Sequence, residues 1–284
     1  MLNGCAYILT VDVGNTFIRF GLFAEDSAAA QERPLATCEI TTPSSITADE
    51  ARMRLAQVTA ALAADAGMPG ALVPTAAVLS CVGPGARAPV EGSTFPRACT
   101  GRVLTVGPGL KTGMPVHYDD PAEIGPDRIA DAVAARAVYG SPCIVIDLGT
   151  TTNIEVIDAR GTFVGGVIAP GLALGARSLS AAAARLPQVE PSAPTHVIGR
   201  NTREAMRSGV VLGEVARIDG MLDMVLAEMR ATKAAGEGDV PIVITGDDAE
   251  ALASLVGHSL TVDDALTLRG LAELYRINQK PRRV

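Results

Sequence analysis

Two short acidic phrases of the same type carry the first recognisable chemistry in this sequence. They read Val11-Asp12-Val13-Gly14-Asn15-Thr16 and Ile146-Asp147-Leu148-Gly149-Thr150-Thr151. Each places a carboxylate two residues before a glycine, with hydroxyl or amide side chains directly after it. A carboxylate can bind a divalent metal, and a glycine turn lets backbone N–H groups approach phosphate closely. The pattern therefore indicates two hairpins that together hold a metal-bound polyphosphate.

Either phrase alone would also fit an ordinary hairpin turn with an acidic residue at the strand end, which is the commoner structure. The repetition favours the phosphate-binding interpretation. The two copies lie about half the chain apart in a sequence of 284 residues, which also indicates two similar halves.

A third candidate site is Gly125-Pro126-Asp127-Arg128, at the start of a predicted helix over 122–139. A carboxylate near a helix N-terminus is stabilised by the helix dipole, so Asp127 would be a weak base that orients a hydroxyl and accepts its proton late. Arg128 offers several rigid donors for an anionic or amide oxygen. From the residues alone, an acid that merely complements the helix dipole is the commoner explanation of Asp127.

Hydrophobic patterns predict the elements that must position these groups. Predicted strands cover 7–13, 17–23, 76–81, 102–106, 143–147, 154–158, 162–168, 241–245 and 260–263. Predicted helices cover 49–66, 122–139, 202–232, 248–256 and 265–278, and loops are expected near 41–47 and over 83–101. Strands come early in each half and helices follow, which predicts an α/β fold of two related domains.

The composition excludes several classes of function. The chain is 48% hydrophobic and 19% charged, as in packed globular proteins, and its net charge of −7 with 3% aromatics argues against a nucleic-acid or anionic-membrane partner. The five cysteines are scattered, which is typical of reduced thiols in a cytoplasmic protein. The three histidines lack metal-ligand spacing, and we expect neither a signal peptide nor a membrane span.

Taken in order and spacing, the motifs resemble those of type III pantothenate kinases, in the acetate-kinase/sugar-kinase/actin superfamily. The matching segments run almost from end to end: Asp12–Thr16, Tyr118–Pro121, Gly125–Arg128, Asp147–Thr150, Gly165–Gly171, Ile198–Thr202 with Ser208-Gly209, and Leu266–Leu271.

The resemblance implies duplicated actin-like ATPase (ribonuclease H-like) domains with a cleft between them, expected at residues 1–118 and 119–284. It implies ATP-dependent phosphorylation of pantothenate to 4′-phosphopantothenate, the first step of coenzyme A biosynthesis. A cytoplasmic homodimer with its substrate pocket near the subunit interface is expected, using Mg²⁺ and a monovalent cation, K⁺ or NH₄⁺.

The resemblance also assigns residues. Asp127 is the expected catalytic base, Asp147 holds the monovalent cation, and Thr150 contacts nucleotide phosphate. The ATP-phosphate loop comprises Asp12, Val13, Gly14, Asn15, Thr16, Phe17, Ile18 and Arg19. Pantothenate is expected to contact Tyr118, Gly125, Pro126, Asp127, Arg128 and Thr202. Thr202 has a structural explanation as well, since Asn201 and Glu204 form a capping-box pattern at the start of a helix.

Three residues depart from the family pattern. Asn153 replaces a hydroxyl, Glu155 replaces aspartate, and Asp247 replaces the second glycine of a Thr-Gly-Gly sequence. The first two could alter cation coordination, and the third could repel nucleotide or point to solvent. Two other functions remain open at this point: a kinase acting on another small alcohol, and a catalytically weakened member that serves as a regulatory or accessory protein.

Overall fold

The computed structural model describes residues 6–26, 31–69, 72–82 and 99–279. The predicted loop over 83–101 falls mostly outside these ranges. Within them the strands are β1 Tyr7–Val13, β2 Phe17–Ala24, β3 Ala36–Thr41, β4 Ala76–Cys81, β5 Val103–Thr105, β6 Cys143–Leu148, β7 Thr151–Ile157, β8 Phe163–Pro170, β9 Ile242–Gly246 and β10 Thr261–Val262.

The α-helices in the same ranges are α1 Ala48–Asp65, α2 Pro126–Tyr139, α3 Leu172–Ala182, α4 Thr202–Arg207, α5 Gly213–Ala231, α6 Ala249–Ala253 and α7 Leu266–Asn278. A 3₁₀ turn covers Pro121–Glu123, and a π-helical turn, Ser208–Leu212, joins α4 to α5. The single long helix predicted over 202–232 is therefore interrupted. No helix in the described part of the chain is long and apolar enough to span a membrane.

The chain divides into two compact units. The first unit is Met1–Val138 with Ala265–Val284, and the second is Tyr139–Asp264. These bounds differ from the boundary expected between residues 118 and 119, because α2 and the returning helix α7 pack closely together in the first unit. A Cβ at Gly270 of α7 would lie 1.9 Å from the carbonyl oxygen of Ala130 in α2, so only glycine permits this approach.

Both units contain the same five-stranded sheet. The order is β3-β2-β1-β4-β5 in the first and β8-β7-β6-β9-β10 in the second, written from the edge of the antiparallel meander. In each unit the first three strands are antiparallel, and the fourth and fifth continue parallel to the first. The duplicated α/β architecture predicted from the repeated phrase is confirmed.

In the first unit, α1 covers one face of the sheet. Its buried residues Leu55, Val58 and Leu62 belong to one apolar cluster with residues of β1, β2 and β4, and the helix lies closest to β2 and β3. Thr47 begins this helix with a capping box: its hydroxyl accepts from Glu50 N–H, and its own N–H donates to the Glu50 carboxylate. The helix thereby fixes the sheet whose strand ends carry the first acidic hairpin.

In the second unit, α5 has the corresponding role. Val215, Ile218 and Leu222 pack against the aliphatic side chains of β6 and β7, including Ile146 and Ile154. These side chains share one face of the sheet, since residues alternate between faces along a strand. The strands that carry the second acidic hairpin are thus also supported by a buried apolar core.

Candidate active site

The first hairpin joins β1 to β2 through a tight turn. Gly14 N–H donates to the carbonyl oxygen of Phe17 at 3.0 Å, and Asn15 and Thr16 are exposed at the tip. A Cβ at Gly14 would sit 3.0 Å from that same carbonyl oxygen, so the turn favours glycine. The amide and hydroxyl side chains predicted to face phosphate are therefore accessible at the tip.

Thr42, directly after β3, clamps this turn. Its N–H donates to the carbonyl oxygen of Thr16 and its hydroxyl donates to that of Gly14, both at 2.8 Å. Sequence reasoning placed this residue in a polar loop and missed its role. The partner carbonyls are far away in sequence, so the only available signal was the run of two threonines before a proline.

Asp12 ends up as a buried carboxylate beside this turn. It is 7% exposed, and its Oδ1 atom is buried without a hydrogen-bond partner. Burial, and then the negative charge of Asp127, raise the pKa of Asp12 to about 6, although Arg19 on the opposite strand pulls it down. An unsatisfied buried carboxylate oxygen is costly, and a cation or a water bound to one would satisfy it.

Asp127 lies in the first turn of α2, as the sequence predicts. Its Oδ1 accepts a hydrogen bond from Arg128 N–H at 2.8 Å, while burial raises its pKa despite the backbone donors and the Arg128 charge. A Cβ on Gly125 would lie 2.4 Å from that Oδ1 atom. The glycine therefore leaves space for the carboxylate to fold back over the helix N-terminus.

The other residues predicted to contact pantothenate differ in exposure. Arg128 is buried at 5% exposure, whereas Tyr118 and Pro126 are half-buried. Pro126 lines a cavity of about 400 Å³ whose other lining residues are mainly apolar. Its lining includes Cys81, Val106, Met114, Ile124, Pro126 and Ile129. A small ligand that carries both aliphatic and polar groups suits such a cavity next to the N-terminus of α2.

The second hairpin has a shorter turn than the first. Gly149 N–H donates to the carbonyl oxygen of Thr151 at 3.0 Å, and Thr150 is half-buried at the turn. As a result, half-buried Asp147 faces Asn153 on β7, whereas Asp12 faces Arg19 on β2. The one-residue difference in length changes which side chain stands opposite the acid.

Gly171 clamps the second turn as Thr42 clamps the first. Its N–H donates to the carbonyl oxygen of Thr150 at 3.0 Å, and a Cβ there would lie 2.2 Å from the carbonyl oxygen of Gly149. The Pro170-Gly171 pair ends Gly165–Gly171, one of the segments that resemble the family. It lies against the turn that carries Thr150.

The three departures from the family pattern have distinct environments. Asn153 is 6% exposed, and its Oδ1 atom is buried without a hydrogen-bond partner. Glu155 is fully buried further along β7, while Asp247 is exposed after β9. Gly246 before it must be glycine, because its φ is +99° and a Cβ would lie 2.1 Å from the carbonyl oxygen of Leu148.

Thr202 is exposed at the first position of α4. The cap of this helix is Asn201, whose Oδ1 accepts from Glu204 N–H at 3.0 Å, as predicted. The Glu204 carboxylate accepts from the N–H of Arg200 at 2.9 Å instead of that of Asn201. Capping therefore occupies the neighbouring side chains and leaves the Thr202 hydroxyl exposed.

The described residues contain no cluster of three or more His, Cys, Asp or Glu side chains that could hold a metal ion alone. Within the first unit, however, Asp12, Arg19 and Asp127 interact electrostatically around one turn. Mg²⁺ commonly takes one or two protein carboxylates and completes its shell with water and substrate phosphates. This arrangement suits a metal that arrives with a polyphosphate.

Comparison with solved structures supports the fold. A structure from Campylobacter jejuni described as a conserved candidate Baf family transcriptional activator aligns with a TM-score of 0.56 at 17% identity, covering 95% of this chain and 98% of that one. The ethanolamine utilization protein EutJ from Carboxydothermus hydrogenoformans aligns with a TM-score of 0.53 at 16% identity, covering 94% and 89%. At these identities the similarity establishes architecture alone.

Comparison of sequences is more specific. The family profile described as type III pantothenate kinase matches residues 8–224. The type III pantothenate kinase of Nocardia farcinica is 40% identical over 282 residues, covering 97% of this chain and 99% of the relative. Type III pantothenate kinase 2 of Symbiobacterium thermophilum is 38% identical over 272 residues, covering 96% and 97%. The chain belongs to the type III pantothenate kinase family.

Proposed function

We propose that this protein transfers the γ-phosphoryl group of ATP to the hydroxyl of pantothenate, giving 4′-phosphopantothenate and ADP at the entry to coenzyme A biosynthesis. The observation that carries the proposal is that the carboxylates of Asp12 and Asp127 lie close enough for their charges to interact beside the first hairpin turn. One acid lies at a phosphate-type turn, the other at a helix N-terminus next to a mostly apolar cavity. Full-length similarity to pantothenate kinases supports it.

Phosphoryl transfer needs alignment and charge stabilisation more than a strong base. The exposed turn residues Asn15 and Thr16 and the nearby backbone N–H groups bind the phosphates, and Arg19 adds positive charge. Asp127 accepts a hydrogen bond from the pantothenate hydroxyl and takes its proton as the bond to phosphorus forms. A raised pKa makes this carboxylate a better base than an exposed aspartate.

Pantothenate is held by side chains around Asp127. Arg128 and Tyr118 supply polar contacts for its carboxylate and amide, and the exposed hydroxyl of Thr202 is assigned to the same substrate. The aliphatic part of pantothenate suits the mostly apolar wall near Pro126. Exclusion of water from such a wall protects the γ-phosphoryl group from hydrolysis.

Mg²⁺ would neutralise phosphate charge, and the residues present fit it. The buried Oδ1 of Asp12 lacks a partner and offers either a direct ligand or an acceptor for a metal-bound water.

A monovalent cation fits the second hairpin: Asp147 lies between Asn153 and Thr245 on adjacent strands, and the Asn153 Oδ1 is unsatisfied. Carboxylate, amide and hydroxyl oxygens are hard ligands of the kind that K⁺ or NH₄⁺ takes. A homodimer is part of the same proposal.

A coupled assay of ADP release, with and without pantothenate and in K⁺ and then Na⁺ buffer, tests the reaction. We expect turnover that depends on pantothenate, and Asp127→Asn should lower kcat by about 10²–10⁴-fold. Glu123→Gln is the matched control, since Glu123 is an exposed acid in the preceding 3₁₀ turn. Light scattering on the same samples tests the dimer. ADP release that ignores pantothenate would contradict the proposal.

A further inference from the structure

A buried glutamate of α5 contacts the second hairpin from below. Glu214 is 4% exposed and accepts a hydrogen bond from the hydroxyl of Thr152 at 2.6 Å. Thr152 is the first residue of β7 that pairs with β6, where it stands opposite Leu148. None of the motifs recognised in the sequence includes Glu214, and the proposed mechanism gives it no role.

The same carboxylate is linked to the other side of the turn. Glu214 forms a salt bridge with Arg217, one helical turn further along α5. The Arg217 guanidinium also donates to the carbonyl oxygen of Pro170 at 2.6 Å. The next residue, Gly171, donates its N–H to the carbonyl oxygen of Thr150 at 3.0 Å. A continuous path therefore runs from Thr152 through Glu214 and Arg217 to the Pro170-Gly171 peptide, and from there to Thr150.

This arrangement is suited to fixing geometry. A buried ion pair seldom adds much net stability, because desolvation offsets the attraction. Its two partners do, however, determine where the Glu214 carboxylate lies, and each is tied to one flank of the hairpin turn. A carboxylate can accept several hydrogen bonds at once, so one side chain can hold both flanks.

We propose that Glu214 is a positioning residue for nucleotide binding: through Thr152 and Arg217 it fixes the Gly149–Thr151 turn so that Thr150 meets the ATP phosphate. This inference rests on the proposed function, in which Thr150 contacts nucleotide. It goes beyond that function by adding a residue outside the recognised motifs. Glu214 itself touches the turn's supports and not the ligand.

Four variants test this. Glu214→Gln removes the charge, and Thr152→Val removes the hydroxyl while keeping the side-chain shape. Both should raise the KM for ATP about tenfold while leaving the KM for pantothenate unchanged. A tenfold rise corresponds to losing the binding free energy of one good hydrogen bond. Thr152→Ser restores the hydroxyl and should restore the ATP KM. The double variant should be no worse than the worse single one, because both act through one network.

Glu273→Gln is the matched control. Glu273 is likewise a buried glutamate paired with an arginine three residues on, Arg276, but it belongs to α7 in the first unit. It should leave the ATP KM unchanged. If Glu214→Gln does not fold, Thr152→Val still decides, because it preserves the ion pair; thermal unfolding of each variant shows which case applies.

Calorimetric titration with the Mg²⁺ complex of a non-hydrolysable ATP analogue separates this inference from the proposed function. We expect weaker binding by about tenfold in Thr152→Val and full affinity in Thr152→Ser. Unchanged analogue affinity in Thr152→Val, or an equal rise in the KM values of both substrates, overturns the positioning role. Wild-type protein that binds the analogue but never phosphorylates pantothenate instead refutes the proposed function.

Discussion

The two acidic hairpins share a backbone plan but differ in what stands opposite the acid. Asp12 faces Arg19, whereas Asp147 faces Asn153, because the second turn is one residue shorter. The first carboxylate therefore has a cationic side chain nearby. The second has a neutral amide whose oxygen is unsatisfied. The same backbone plan therefore places a cation beside one acid and an unsatisfied amide oxygen beside the other.

The supports of the two turns also correspond. In each unit the residue directly after the third strand donates its N–H to a turn carbonyl: Thr42 to Thr16, and Gly171 to Thr150. The first clamp adds a hydroxyl, whereas the second relies on a close backbone approach. Replacing the two residues, Gly171 and Thr42, should therefore have unequal consequences.

The largest effect is expected from Gly171→Ala. The added methyl group would lie 2.2 Å from the carbonyl oxygen of Gly149, so backbone must move. We expect a loss of roughly 3 kcal/mol in the free energy of unfolding, measured by urea titration. Gly175→Ala, inside the helix α3 that follows Gly171, is the control: its Cβ meets nothing within 4 Å, and alanine there should stabilise by about 0.5–1 kcal/mol. Equal behaviour of the two variants would contradict the clamp.

Asp12→Asn should change how stability depends on pH in metal-free, nucleotide-free protein. The folded-state pKa of Asp12, about 6, lies above the reference value of 3.8, so the folded protein holds this proton more tightly. Stability contributed by the protonated form is lost as the pH rises from about 4 to above 6, by roughly 3 kcal/mol in total. Urea unfolding at pH 5 and pH 8 should show a smaller difference in the variant. A difference as large as in the wild type would rule out Asp12 as its source.

Asn153→Ala should weaken the response to monovalent cations. If its Oδ1 atom joins Asp147 as a ligand, K⁺ should raise the melting temperature of the wild type, and the variant should need about tenfold more K⁺ for the same rise. Asp147→Asn should abolish the response altogether. Asn153→Lys makes the two hairpins alike by placing a cation opposite Asp147, as Arg19 stands opposite Asp12. A response to K⁺ that is unaltered in all three variants would remove Asn153 from the site.

Thr42→Val should have the smallest effect. The variant keeps the backbone hydrogen bond to Thr16 and loses only the hydroxyl bond to Gly14. We expect a loss of about 1 kcal/mol in the free energy of unfolding, measured by urea titration. Thr41→Val, at an exposed position of β3, should stay within about 0.5 kcal/mol of the wild type.

Strong local signals made much of the fold predictable. A glycine between two β-branched segments predicts each hairpin, and apolar periodicity predicts α7. Strand β3 was missed because it is an edge strand with alternating exposure, and its polar positions resemble a loop. The Ala- and Gly-rich helix α3 was missed because its composition is equally typical of irregular backbone. Predicted helix 122–139 begins late, at Pro126, because Asp120 caps a separate 3₁₀ turn.

The sequence predicted only those residues of the candidate site that lie together in one short segment. Asp12, Asp127 and Gly125 lie in short motifs, so their chemistry shows in the residues themselves. Thr42 and Glu214 act on backbone that is distant along the chain, and no local pattern marks them. The pairing of Asp147 with Asn153 depends on the hydrogen bonding of a turn. The two acidic motifs have the same residue pattern, so only the structure shows that different residues stand opposite the two acids.

The close approach of Gly270 to Ala130 has a consequence for synthesis on the ribosome. The second unit is one continuous stretch, so it can fold as soon as it emerges. The first unit must wait, because the helix that covers β1 and β4 is translated after the whole of the second unit. A nascent chain therefore carries an amino-terminal sheet that lacks this covering helix from the end of β5 until α7 is made, and a premature stop before residue 266 would leave β1 and β4 without that helix.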